Sequence, residues 1–105
     1  MIPDISDHEF DHRVNQSTLP VLVEFWKPGC SHCTSLLKEL ELLQKDTLNH
    51  VKIFKMNVEE NHTIPADLEI SSLPALALFV NGEFQQFIGG IGRKEAIREQ
   101  LSSWI

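Results

Sequence analysis

Cysteine is scarce in this chain: Cys30 and Cys33 are the only two in its 105 residues. Two cysteines cannot make a multi-disulfide framework, and with no second pair a structural zinc site falls short of its usual four ligands. Positive charge is scarce too, nine Lys and Arg against fifteen Asp and Glu, for a formal charge of −6. The basic residues are scattered, which argues against nucleic acid as a partner, because phosphate binding needs a basic patch. No apolar run approaches the roughly 18 residues that span a membrane, so no membrane partner is expected. The opening MIPDISDHEF is acidic and shows no basic region followed by an apolar stretch, the pattern of a signal peptide. Internal repeats, linkers and low-complexity segments are also lacking. A cytoplasmic location is therefore expected. In that compartment a cysteine pair is redox-active or metal-binding sooner than structural.

What is present suits an ordinary globular protein, 42% apolar and 23% charged. The length predicts one domain, 1–105, able to bury a core without cross-links. Ser6 and Glu9 have the spacing of a capping box, which predicts a helix from about Asp7 to Val14. PVLVEFW, 20–26, reads as a central strand covered on both faces. After the Pro28-Gly29 turn, Leu36, Leu37, Leu40 and Leu43 form the buried stripe of a helix whose Glu41 and Lys45 can pair in water. VKIFKMNV, 51–58, is a second strand, and the polar stretch after it holds a short helical piece near Pro65 to Leu68. ALALFVNGEFQQFI predicts a hairpin about Asn81-Gly82, with Phe84, Phe87 and Ile88 in the core. A last helix from about Arg93 puts Ile97, Leu101 and Trp104 on one side. This order predicts the α/β class, a mixed sheet with helices on both faces.

On that reading the cysteines stand where a strand turns into a helix. Free N–H groups and the positive end of the helix dipole stabilise an anion there, and a thiolate is such an anion. The first sulfur can lie exposed at the helix tip and the second one turn in, so that one attacks and the other resolves. A protonated His32 adds positive charge beside Cys30, and Lys27 adds less. Stabilising the thiolate stabilises the dithiol and makes the disulfide a better oxidant. Two other readings stand beside the redox one: inert core residues, or a metal site using Cys30, His32 and Cys33, alone or shared across a dimer. Thr34 follows Cys33, which excludes the Cys-x-x-Cys-His haem attachment motif.

Glu24 interrupts the apolar run. Buried, it is costly and titrates high, and beside the cysteines it can take the proton from Cys33. On an edge strand it simply faces water. HEFDH, 8–12, has the His-Glu-x-x-His form of a zinc protease, but the helix is short and carries Asp11 and Arg13, so a solvated face is the better reading. His8 and His12 can still capture nickel or zinc incidentally. His50 and His62 read as surface loop residues.

Together these segments resemble the thioredoxin family. VEFW, the turn and Cys30-Ser31-His32-Cys33 are similar to its VDFWA-x-WC-G-P-C segment, with Glu24 in place of the buried Asp. KMNVEEN, 55–61, resembles KxNxDxN, with Lys55 on the lysine beside the buried acid. SSLPALALFVNGE, 71–83, resembles G-I-P-T-L-x-x-F-x-x-G-E, with Pro74 on the cis-proline. Gly90, or Gly89 if the alignment slips by one, falls on the glycine of the substrate groove. The resemblance runs through nearly the whole chain and implies a thioredoxin fold and a protein disulfide oxidoreductase. It further implies that the Cys30 thiolate attacks a partner's disulfide and that Cys33, helped by Glu24, resolves the mixed disulfide. Gly29, Leu73, Pro74 and Gly90 then contact substrate, with Leu73 offering its backbone, while Trp26 and Lys55 support the site. The implied partners are disulfide-containing proteins and a thioredoxin-reductase-type enzyme. No cofactor or metal is needed beyond the cysteine pair, and the chain is expected to act as a monomer.

The departures bear on direction. Gly29 stands for the usual Trp, Ser31-His32 for Gly-Pro, and Ala75 for Thr, while Lys38 in place of a kinking Pro is expected to leave the helix straighter. A His before the second Cys is typical of thiol-oxidising members. The alternatives are therefore an oxidase or isomerase with a potential raised by His32, or a non-catalytic metal-binding or docking module.

Overall fold

The run at 21–26 has apolar side chains for both faces of a sheet, and in the computed structural model, which describes residues 1–47, 49–90 and 92–105, it lies inside one. Strand β1 (Val21–Trp26) pairs in parallel with β2 (Lys52–Asn57) and antiparallel with β3 (Ala75–Val80). β4 (Glu83–Phe87) adds to β3, giving the order β2-β1-β3-β4. The helices are α1 (Asp7–Phe10), α2 (Ser31–Asp46), α3 (Thr63–Asp67) and α4 (Lys94–Leu101).

Side chains alternate across a strand, so each face builds its own core. On one, Leu22, Ile53, Leu76 and Leu78 meet Leu36, Leu40 and Leu43 of α2 and Ile97 and Leu101 of α4. On the other, Val23, Phe25, Phe54, Met56, Ala77 and Phe79 meet Ile5, Phe10 and Val14. The α2 stripe is the one expected, with Leu37 half-buried at its margin. Each fully buried leucine contributes roughly 1.5–3 kcal/mol, which dominates the docking of α2. By the same alternation Glu24 projects with Leu22 and Lys55 with Ile53, both under α2, and the two are in register across β1 and β2. Glu24 thus lies on an internal strand, not an edge.

Elsewhere long-range contacts move what local pattern predicts. The capping box forms, with Ser6 Oγ accepting from the Glu9 N–H at 3.3 Å and Glu9 Oε1 from the Ser6 N–H at 3.1 Å, but after Phe10 the helix widens into a π turn, Asp11–Asn15. Helix α3 begins at Thr63, ahead of the expected position, because the Asp7 carboxylate accepts from the N–H groups of Thr63 (3.0 Å) and Ile64 (2.9 Å). Among the described residues the Glu41–Lys45 pair does not form. Asp46 instead bonds Lys94 at 2.8 Å, tying α2 to α4, and this hydrogen bond holds its carboxyl below the usual range. The N-terminal segment, not predicted to pair, adds to the β2 edge: the Lys55 N–H donates to Pro3 O (3.0 Å) and the Ile5 N–H to Lys55 O (2.7 Å).

Asn81 and Gly82 both have positive φ, 53° and 80°, as a two-residue hairpin turn requires. Glycine is needed at 82 for space as well, since a Cβ there would lie 2.6 Å from the Asn15 carbonyl oxygen. Two core expectations are corrected. Phe84 and Phe87 are 40% and 43% exposed, because β4 is the sheet edge and a bulge falls between Leu78↔Gln86 and Phe79↔Phe84. The extra residue, Gln85, puts both rings on one face, where they stack edge-to-face 5.0 Å apart, while Ile88 is buried as expected. Trp104 does not join Ile97 and Leu101: α4 ends at Leu101, and the turn after it leaves the indole 37% exposed.

Candidate functional site

β1 ends at Trp26, and a turn closed by the Cys30 N–H on Lys27 O (3.3 Å) carries the chain to α2. Cys30 is the N-cap of that sixteen-residue helix, and its sulfur accepts from the Cys33 N–H at 3.2 Å, a place usually held by a Ser or Asp oxygen. The first sulfur therefore sits at the positive end of the helix, where negative charge is stabilised. Cys30 and Cys33 are joined as a disulfide, with Cα atoms 5.3 Å apart. They are not equivalent. Cys33 is only 3% exposed, whereas Cys30 is half-buried and opens onto a cavity of about 510 Å³ walled by Gly29, Val58, Pro65, Ile70 and Leu73.

Behind Cys33 lies a smaller cavity of about 210 Å³, shared with Glu24, Trp26, Thr34, Leu37 and Lys55. Glu24 is 1% exposed, and neither carboxyl oxygen has a hydrogen-bond partner. Burial pushes its pKa up from 4.5 to about 8, and the Lys55 ammonium only partly opposes this. Lys55 is committed elsewhere, 3.7 Å from Asp4 Oδ2 and 5.0 Å above the Trp26 ring. The Trp26 indole N–H in turn donates to Asp4 Oδ1 at 3.2 Å, so Asp4 anchors both side chains.

The Leu73–Pro74 peptide is cis, as the resemblance implied. Pro74 lines a cavity of about 250 Å³ with His32, Ser35, Leu36 and Gly92, distinct from the cavity walled by Leu73. His32 is exposed on the first turn of α2 and lines both. Gly90 is exposed beyond β4 with φ of 59°, and Gly92 two residues on reaches the cavity beside Pro74. Asp4, Val58, Pro65, Ile70 and Gly92 were not singled out in the sequence. Pro65 and Ile70 carry only the local signal of apolar residues in a stretch that otherwise reads as polar loop, Val58 closes a predicted strand, and Asp4 and Gly92 carry none.

The zinc-protease pattern dissolves in three dimensions. His8 and His12 are exposed, and Glu9 is occupied by Ser6 and by Arg13 at 3.6 Å. Among the described residues no group of three His, Cys, Asp or Glu gathers to hold a metal, and no helix is long and apolar enough to cross a membrane.

A half-buried sulfur at a helix tip, disulfide-bonded to a buried one above a protonatable carboxyl, defines a thiol–disulfide oxidoreductase. The chain belongs to the thioredoxin family, whose family model matches residues 2–103. It is 38% identical to the thioredoxin of Rickettsia bellii over 98% of both chains, and 34% identical to that of Rickettsia felis over the full length of both. A thioredoxin of the alga Porphyra purpurea is 30% identical over 99% of this chain and 97% of its own. The protein has the thioredoxin fold and is a protein-disulfide reductase working through Cys30 and Cys33 on disulfide-containing substrates, with a reductase as partner. The comparisons do not favour the oxidising or non-catalytic alternatives.

Proposed function

We propose that Cys30 is the attacking sulfur, Cys33 the resolving one, and Glu24 the group that moves Cys33's proton. The Cys30 thiolate attacks one sulfur of the substrate disulfide. The Cys30–substrate bond forms, the substrate's S–S bond breaks, and the released thiolate takes a proton from water. Cys33 then passes its proton to the Glu24 carboxylate and attacks the Cys30 sulfur. The Cys30–Cys33 disulfide forms and the second substrate thiolate leaves, so two electrons have moved from the dithiol to the substrate. The extended substrate segment lies along the Leu73 backbone at Pro74, past Gly29 and Gly90, with Trp26 and Lys55 shaping the cavity around Glu24. A thioredoxin-reductase-type enzyme returns the two electrons. The protein works as a monomer in the cytoplasm, and the cysteine pair is its whole redox equipment.

The observation that carries this reading is the unpartnered Glu24 carboxyl in the cavity it shares with Cys33. A pKa of about 8 lies near the working pH, where one group both takes and returns a proton efficiently. The test follows the mixed disulfide with a peptide by rapid quench across about pH 6 to 9, on both sides of the Glu24 titration. Glu24→Gln is expected to slow its resolution about 100-fold at neutral pH, leaving a profile set by the Cys33 thiol alone. An unchanged rate and profile in Glu24→Gln would remove Glu24 from the mechanism.

A further inference from the structure

Glu24 and Lys55 stand opposite each other on β1 and β2 and line one cavity of about 210 Å³ with Cys33. The other neighbours of Glu24 carry no charge: Trp26 on β1, Thr34 and Leu37 on α2, and Leu76 across the ladder on β3. Among the described residues Lys55 is therefore the one cation that borders this cavity. Opposite charges so placed normally pair, yet both Glu24 oxygens lack a hydrogen-bond partner. The ammonium lies instead 3.7 Å from Asp4 Oδ2 and 5.0 Å above the Trp26 ring. Two acids compete for one cation, and the exposed one holds it. Backbone pairing carries Asp4 to that place, since the Lys55 N–H donates to Pro3 O and the Ile5 N–H to Lys55 O. The Trp26 indole N–H on Asp4 Oδ1, at 3.2 Å, then fixes the carboxylate beside the ring.

We propose that Asp4 is a positioning residue for the resolving step: by holding the Lys55 ammonium off Glu24, it keeps the buried carboxyl free of an ion pair and able to accept the Cys33 proton. The inference rests on the reading of Glu24 as the group that moves that proton. An ammonium against Glu24 would favour its charged form and weaken it as a base, the opposite of what the step needs. The proton passes from the Cys33 sulfur to a Glu24 oxygen as Cys33 attacks the Cys30 sulfur. Asp4 takes no proton and does not line the cavity, so its effect runs through Lys55.

Asp4→Asn is the informative variant, because the amide removes the charge while its oxygen can still accept from the Trp26 indole. Asp4 is exposed and its strand pairing is made by the backbone of Pro3 and Ile5, so the variant folds. Carbon NMR of the oxidised full chain follows the Glu24 carboxyl without interference from Cys33, which is disulfide-bonded and carries no proton. The Glu24 midpoint is expected to be about one pH unit lower in Asp4→Asn, the low end of what an adjacent opposite charge does to a carboxyl. The pH profile of mixed-disulfide resolution is expected to move down by the same amount. In a Lys55→Gln background Asp4→Asn is expected to move neither. An unmoved Glu24 midpoint, with or without a loss of stability, makes Asp4 an anchor only; that result, or an equal shift in Lys55→Gln, overturns the inference and leaves Glu24 in the mechanism. A midpoint that falls while the resolution profile stays put overturns the reading of Glu24, and Asp4's part in the reaction with it.

Discussion

Cys30→Ser is expected to abolish reduction of protein disulfides, by at least about 1,000-fold, whereas Cys33→Ser is expected to stop after one step and accumulate a mixed disulfide with its substrate. The asymmetry follows from the geometry. Cys30 opens onto solvent at the helix tip and can reach a partner, while Cys33 is 3% exposed and can reach only Cys30. The Cys30 loss will be chemical rather than structural, because a serine hydroxyl caps the first turn of α2 at least as well as the sulfur that now accepts the Cys33 N–H. Non-reducing electrophoresis and mass spectrometry after mixing with a protein disulfide distinguish the outcomes. Full activity in either variant, or trapping by Cys30→Ser instead of Cys33→Ser, contradicts the assignment.

The second large effect is on stability. Glu24 has a pKa of about 8 folded against 4.5 in an unfolded chain. Between those values the folded state holds a proton that the unfolded state has lost. The stability from this group is therefore complete below pH 4.5 and is lost as pH rises through about 8. The slope is about 1.4 kcal/mol per pH unit and the total on the order of 3–6 kcal/mol. Urea unfolding of the oxidised protein should become easier from about pH 5 to about pH 9, a range that covers most of this window. In Glu24→Gln that fall should flatten, and Glu24→Leu, which removes two unpaired buried oxygens, should be the more stable protein at the alkaline end. Parallel pH profiles for wild type and Glu24→Gln would show that the carboxyl is not held neutral by burial.

The parts of the site that could be read from sequence are those set by local order. A strand, a Pro-Gly turn and a helix stripe place Cys30 at a helix tip whatever the rest of the chain does. Glu24 announces itself as one charge in an apolar run, and Lys55 follows once β1 and β2 are aligned. What stayed hidden depends on distant contacts. Asp4 matters only because Pro3 and Ile5 pair with Lys55 and bring its carboxylate to Trp26, 22 residues away, yet Pro3 and Asp4 spoil any strand pattern there. The wall of the larger cavity comes from isolated apolar residues in a polar stretch, ordered by Asp7 capping α3 from across the molecule. Phe84 and Phe87 look like core by composition, and only the bulge at Gln85 shows that they share the uncovered side of an edge strand.

His32 is the residue whose effect on direction neither its spacing nor its exposed position fixes, and one measurement weighs it against everything else in the site. Equilibrating the protein with graded thiol–disulfide buffers gives the reduction potential of Cys30–Cys33. A value near the roughly −270 mV of thioredoxin is what a protein-disulfide reductase requires, with the charge of His32 offset by its surroundings. A value above about −200 mV would contradict the account, because the pair would then oxidise or shuffle disulfides in its partners rather than reduce them.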